Sequence, residues 1–287
     1  MIIVRLRGGL GNQLFQYALG RHLAILNQTP LKLDTSLLAK TTQWTYRCFA
    51  LDAFNIQAVQ ATPQEIRRLA ITVHPAMQQM GSLLGLMPST YFREPYFHFS
   101  PAVLSRHPAL YLDGYWQSEK YFAEISPILR SELTLKTSFS PRSQLTANMI
   151  ANGPFVSLHV RRGDYATSSK ANRYLHLTDM DYYRQAVEYM AHIIPNVQFF
   201  IFSDDMEWVK AHLFLDFPTH YAEGNTACED LVLMAHCQHH IIANSTFSWW
   251  GAWLNPNPRK IVIAPQKWFS TERFNTCDLL PEPWIRL

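Results

Sequence analysis

The run F-V-S-L-H-V-R-R-G-D-Y, residues 155–165, ends an apolar stretch with His159, Arg161, Arg162 and Asp164 packed into six positions. Two adjacent cations at a strand end are costly to bury unless an anion meets them. A planar guanidinium matches two phosphate oxygens at once, which a lysine ammonium cannot do. A diphosphate is therefore the natural counter-ion, and Arg161 is the residue expected to grip it. Alternation along a strand sends Arg161 and Arg162 to opposite faces, so only one of them points straight into a site. The other is left to pair with Asp164 or with the opposite half of the chain. The competing reading is an Arg–Asp salt bridge at a strand end, without a ligand.

Three more segments carry residues of the right kind. R-G-G-L-G-N-Q-L-F-Q-Y-A (7–18) follows a strand-like run and opens an apolar helix. Gly9 and Gly11 there would let backbone N–H groups approach a ligand at the helix N-terminus. The segment is not the dinucleotide fingerprint, because Leu14 stands where the third glycine belongs. A tight strand-to-helix turn explains the glycines equally well, and Asn12 and Gln13 tilt the balance slightly towards function. In F-F-I-F-S-D-D-M-E-W-V (199–209), Ser203 is placed to cap a helix with Asp204 and Asp205 in its first turn. The same carboxylates suit a ribose or a guanine edge. In C-E-D-L-V-L-M-A-H-C-Q-H-H-I-I-A-N-S-T-F-S-W-W-G-A-W-L (228–254), the turn Asn244, Ser245, Thr246, Phe247, Ser248 offers hydroxyls and N–H groups as a second phosphate-binding edge. Simple N-capping is the alternative, with Trp249, Trp250 and Trp253 as core.

Two constellations imitate metal sites. Asp179-Met180-Asp181 has the D-x-D form that holds a metal-bound diphosphate, but it precedes a helix-like stretch and reads better as a helix start. His236, Cys237, His239 and His240 resemble zinc ligands, yet they follow an apolar helix with no second pair nearby. No metal is expected.

Short β-branched or aromatic runs position these segments, at 2–6, 31–34, 110–113, 155–160, 198–202, 240–243 and 260–264. Helical spacing between them is clear at Leu19, Leu23 and Leu26, at Tyr183, Val187 and Met190, and at Leu231, Met234 and Ala235. Alternating strands and helices predict an α/β fold with parallel sheets. The chain of 287 residues exceeds the usual size of one core. The pattern is cleanest after 154, whereas 60–110 is irregular. Two domains, 1–150 and 151–287, are expected, parted in the polar, Pro- and Gly-bearing stretch 137–154.

With 48% hydrophobic and 16% charged residues, the composition favours burial over disorder. A net charge of +3 spread over scattered Lys and Arg makes nucleic acid a poor partner. Four cysteines without a CxxC pair read as free thiols of a reducing compartment. No signal peptide and no apolar run of spanning length are seen, so a cytoplasmic protein is expected, at most peripheral to the inner membrane face. The sequon Asn244-Ser245-Thr246 then has no compartment in which to act.

Taken together and in this order, R-G-G-L-G-N-Q, H-V-R-R-G-D-Y, F-S-D-D-M-E-W and N-S-T-F-S-W-W-G-A-W-L resemble the α-1,2-fucosyltransferases of glycosyltransferase family 11, over nearly the whole chain. The resemblance implies a GT-B fold of two Rossmann-like domains facing a cleft, acceptor side first and GDP-sugar side second, with the C-terminal tail returning to the first. It implies GDP-fucose as donor, a β-galactoside glycan as acceptor, inversion at the anomeric carbon, and neither metal nor cofactor. By the same analogy Arg161 holds the β-phosphate with His159 nearby, Asp204 and Asp230 face the guanosine, Ser245, Thr246 and Ser248 face the pyrophosphate, and Asn12 lies near the fucose. Asp164 is the nearest carboxylate for a base. An ordinary Asp with a pKa of ~3.9, lowered further by two arginines, is a feeble one, so the acceptor proton is expected to leave late. Transfer in another linkage, transfer of another GDP-hexose, or an inactive sugar-nucleotide- or glycan-binding module remain the alternatives.

Overall fold

The computed structural model describes residues 1–38, 48–70, 90–105, 108–162 and 178–287. Its chain divides into two compact units. One comprises Met1–Asp52, Ile56–Glu132 and Cys277–Leu279; the other comprises Ala53–Asn55, Leu133–Thr276 and Leu280–Leu287.

The first unit carries β1 (Ile2–Arg5), α1 (Leu10–Leu26), β2 (Leu31–Asp34), β3 (Val59–Gln60), α2 (Pro63–Leu69), β4 (Tyr91–Arg93), β5 (Leu110–Asp113) and α3 (Ser126–Glu132). Its sheet has the order β3-β2-β1-β5-β4, and every pairing is parallel. Helix α1 is buried nearly all round, through Leu14, Phe15, Tyr17, Ala18, Leu19 and Leu23. Its apolar residues therefore do not form a single stripe, as suits a helix laid in the middle of a core.

The second unit carries α4 (Pro141–Ala151), β6 (Phe155–Val160), α5 (Met180–Ile193), β7 (Gln198–Ser203), α6 (Met206–His212), β8 (Thr219–Tyr221), α7 (Ala227–His236), β9 (His239–Ile241), α8 (Thr246–Leu254), β10 (Val262–Ala264) and β11 (Ile285–Arg286). These strands form a second all-parallel sheet of order β11-β10-β9-β6-β7-β8. Both faces are covered. Val156, Leu158 and Val160 pack with Tyr183, Val187 and Met190 on one face. Phe155, Phe200 and Phe202 pack with Ala147, Ile150, Leu233 and Met234 on the other. A strand buried on both faces reads as a continuous apolar run, which is why β6 and β7 stand out in the sequence.

The division at Glu132/Leu133 replaces the boundary expected at 150. The stretch 137–154 is not a linker: its middle is helix α4, capped by Ser140 and packed through Ala147 and Ile150 on the second sheet's core. The first unit also takes back Cys277–Leu279, where Asp278 accepts from Phe99 N and pairs with Lys120.

Candidate functional site

In the second sheet the chain runs outward from β6 to β7 and β8, then crosses to β9 on the other side of β6. Strand order thus reverses between β6 and β9, and ligands of open parallel sheets bind outside the carboxyl ends of strands at such a point. What stands there is His159 near the end of β6, Arg161 and Arg162 just after it, and the turn 242–245 leading into α8 after β9.

Alternation along β6 places His159 on the face of Phe155 and Ser157, opposite Val160. The His159 ring lies 5.5 Å from the ring of Phe247 in the first turn of α8. It is 3% exposed, and its Nδ1 has no hydrogen-bond partner among the described residues. Burial holds its pKa down to about 4; Asp204 opposes the shift and Arg161 adds to it. The ring is neutral at pH 7, with a buried nitrogen in reserve.

The two arginines diverge. Arg161 pairs through Nη1 with Asp204 Oδ2 at 2.5 Å. Arg162 lies with its guanidinium 3.6 Å above the Trp208 ring, and its Nε is 3.9 Å from Asp205. The backbone N of Arg162 donates to the other oxygen of Asp204 at 2.9 Å. Asp204 therefore clamps the end of β6, taking one arginine by its side chain and the next by its backbone. These are the contacts of the residue expected to face guanosine. Ser203 is not the cap of α6; Asp205 is, accepting from Trp208 N, while Ser203 Oγ accepts from Asp205 N. Asp164 lies outside the described residues.

After β9, the expected phosphate edge is narrower than its residue types imply. Ser245 caps α8, accepting from Phe247 N. The Ser248 hydroxyl is fully buried and bonds back to the carbonyls of Ala243 and Ser245. The Asn244 side chain, 1% exposed, ties Thr178 to the carbonyl of Trp268. Ser248 and Asn244 thus hold the turn and do not present side chains to a ligand; buried polar groups find partners, and theirs are internal. What remains for an anion is Thr246 and the first-turn N–H groups, which have no intrahelical carbonyl to meet. Asp230 sits in the first turn of α7 and accepts from Asn225 at 2.8 Å. Burial raises its pKa to about 6, against the pull of Asn225.

In the first unit, the glycine that the turn requires is Gly8, neither Gly9 nor Gly11. Gly8 has φ +77°, and a Cβ there would stand 2.4 Å from Asn12 Nδ2. Gly9 precedes α1 in extended backbone and Gly11 is buried within the helix. Asn12 accepts from Gln117 Nε2 at 2.8 Å. Gln13 and Gln16 bond the carbonyls of Gly8, Cys48 and Gly114.

Asp179 caps α5 by accepting from Tyr182 N, and Asp181 pairs with Arg184. His240 is locked between Ser157 and Asn255. Among the described residues no three His, Cys, Asp or Glu groups gather to hold a metal, and no helix is long and apolar enough to cross a membrane. Sequence reasoning overlooked Trp208, the platform under Arg162, and Tyr183, whose hydroxyl bonds the His159 carbonyl at 3.2 Å. The only signal for Trp208 was its place at the end of F-S-D-D-M-E-W.

Two doubly wound parallel units, the second with arginines at its switch point, have the architecture of GT-B glycosyltransferases. The fucosyltransferase NodZ from Bradyrhizobium shares this fold, with a TM-score of 0.53 at 18% identity over 87% of this chain and 90% of that one. The family model of glycosyl transferase family 11 matches residues 1–287, and the chain belongs to that family. Among relatives, an alpha-1,2-colitosyltransferase of Escherichia coli is 33% identical over all of this chain and 99% of its own length. The O-antigen biosynthesis glycosyltransferase WbnK of the same species is 34% identical, over 98% and 99%. Galactoside alpha-(1,2)-fucosyltransferase 1 of Mus musculus is 26% identical over 86% of this chain and 61% of its own.

Proposed function

We propose that this glycosyltransferase moves L-fucose from GDP-β-L-fucose to the 2-hydroxyl of a terminal β-galactoside, with inversion and without a metal. The observation that carries the donor half is Arg161, oriented by Asp204 at the switch point beside the buried His159 and the first turn of α8. The likeness to a mouse galactoside alpha-(1,2)-fucosyltransferase supports the acceptor half.

In the reaction the acceptor oxygen bonds to the anomeric carbon while the bond from that carbon to the β-phosphate oxygen breaks. GDP departs with the electron pair, and the acceptor hydroxyl gives up its proton. Arg161 meets the charge growing on the β-phosphate, a preorganised contribution of about 3–4 kcal/mol in comparable sites. Asp204 keeps the guanidinium aimed, Thr246 and the α8 N–H groups take the remaining phosphate oxygens, and Asp230 accepts from the guanine edge. Asp164 is no more than a weak base, so the acceptor proton passes late to solvent, from a loose, oxocarbenium-like transition state.

The relative that transfers colitose, at 33% identity, favours a second reading with that sugar on the same nucleotide site. The test offers GDP-fucose and a nucleotide-activated colitose to the purified chain with methyl β-galactoside, in EDTA, and assigns the product linkage by NMR. An α-1,2-fucosyl product is expected. Turnover of the colitosyl donor alone, or a product in another linkage, would replace the reading.

A further inference from the structure

Strand order also reverses in the first sheet, between β1 and β5. By the rule applied to the second unit, the crevice beyond the carboxyl ends of these two strands is a place for a ligand. It is flanked by Arg7 and Gly8 after β1 and by Gly114, Tyr115, Trp116 and Gln117 after β5.

This loop is held in an arrangement that costs free energy. Trp116 has φ +60°, which a bulky non-glycine residue seldom adopts. Its indole Nε1 and the Oε1 of Gln117 are buried with no hydrogen-bond partner among the described residues. Buried polar atoms are almost always paired, so two orphans in one strained turn mark a loop that is not at its best when empty. The surroundings are otherwise built with care. Glu94 accepts from both Tyr115 N and Trp116 N, at 2.7 and 2.9 Å. A Cβ at Gly114 would stand 2.5 Å from Glu94 Cβ and 2.6 Å from the Trp116 ring. Gln16 and Asn12 of α1 bond the Gly114 carbonyl and the Gln117 amide.

The charges here are already paired and do not call for a phosphate. Arg5 faces Asp34 and Asp113, the charge of Arg7 acts on Glu94, and each arginine is already in an ion pair with Asp113. Both arginine charges are already met by carboxylates, so an added anion would gain little from them. A neutral polyhydroxyl ligand finds what it needs: carboxylates and amides for its hydroxyls and an aromatic face for its C–H groups. Tyr115 supplies that face, 37% exposed, with the Arg7 guanidinium 4.8 Å from its ring centroid.

We infer that the loop 114–117 with Arg7 is a pyranose-binding platform, on which Tyr115 stacks against the apolar face of a neutral hexose and Gln117 and the Trp116 indole turn to its hydroxyls. Resting on the function proposed above, that hexose is the terminal galactose of the acceptor. Every residue of the platform lies in the first unit.

Saturation-transfer NMR with methyl β-D-galactoside on the full chain tests the platform without turnover. Wild type gives a signal, Tyr115→Phe keeps it, and Tyr115→Ala loses at least fivefold while the GDP dissociation constant stays within twofold. In the transfer assay Tyr115→Ala raises the acceptor KM about tenfold. Because Tyr115 is a surface residue, its truncation leaves the fold intact, and the retained GDP affinity verifies this in the same sample. Gln117→Leu, which keeps the side-chain volume, gives a smaller loss in the same direction. A Tyr115→Ala chain with unchanged galactoside signal and KM would overturn the platform. A wild-type chain that binds galactoside on Tyr115 but transfers no fucose would overturn the proposed reaction and leave the platform standing.

Discussion

Arg161 and Asp164 lie three residues apart, yet they are expected to contribute unequally. Alanine at 161 removes the group that meets the leaving phosphate, and kcat should fall by about 10²–10³. Asparagine at 164 removes only a weak base and should cost less. Steady-state rates on GDP-fucose for both variants decide the matter, and an equal, near-complete loss with intact folds would contradict the ordering. Alternation along β6 was enough to foresee that Arg161 and Arg162 part. It could not foresee Asp204 as the partner of Arg161, because that pairing joins residues 43 positions apart through two neighbouring strands. The hydroxyls of Ser245 and Ser248 look alike in sequence, but only the turn's geometry shows Ser248 bonded back to Ala243 and Ser245.

The buried carboxyl of Asp230 makes the stability of the chain depend on pH. Its pKa is raised from 3.8 to about 6, so the folded chain keeps a proton that the unfolded chain has lost between those values. Stability from this group is full below pH 3.8 and is lost as pH rises through 6. Asp230→Asn should therefore be more stable than wild type at pH 7.5, by about 1–3 kcal/mol, with the gain vanishing near pH 4. The buried His159 runs the other way, losing stability as pH falls from 6.5 towards 4, but it is common to both chains and cancels in the difference. Denaturant titrations at the two pH values measure this. The same variant should bind GDP more weakly, because a group retained at a cost to stability is one with a task. A variant less stable than wild type at pH 7.5 would contradict the burial argument.

At the scale of elements, strands buried on both faces were readable, and those at the edges were not. Runs at 31–34, 110–113 and 155–160 coincide with β2, β5 and β6, because continuous apolar residues leave little else for the backbone to do. The edge strands β3, β4, β8 and β11 have two or three residues each and carry no periodic signal. Helix α1 shows why composition alone misleads about glycine. Gly20 sits mid-helix, where alanine would ordinarily gain up to about 1 kcal/mol. A Cβ there would stand 2.4 Å from Val4 Cγ2 and 2.8 Å from Leu31 Cδ1, both side chains buried in the sheet. Overpacking of that kind costs about 1–3 kcal/mol, so packing outweighs propensity. Gly20→Ala should lower the urea midpoint without changing the slope, and a raised midpoint would show that the sheet yields.

For the whole molecule, neither unit is a continuous piece of chain, and its last eleven residues serve both. Asp278 bonds Phe99 N and Lys120 in the first unit, while β11 closes the second sheet against β10 and Trp284 packs on Trp249 with ring centroids 5.5 Å apart. Leu279, Leu280 and Trp284 are each less than a tenth exposed. Nothing local to this Pro-bearing tail distinguishes the buried Leu279, Leu280 and Trp284 from the half-buried Ile285 and Leu287. Burying a large apolar side chain stabilises by about 1.5–3 kcal/mol, so the three together approach the whole stability of an ordinary domain. A chain ending at Thr276 should therefore lose more than ~10 °C in melting temperature or fail to accumulate as folded protein. Calorimetry separates the units' contributions. The loss should fall chiefly on the second unit, which forfeits a strand and two buried side chains, with a smaller loss in the first, which forfeits Asp278 and Leu279. A truncated chain that melts within a few degrees of the full one would mean that the tail's burial is not what holds the second sheet's edge.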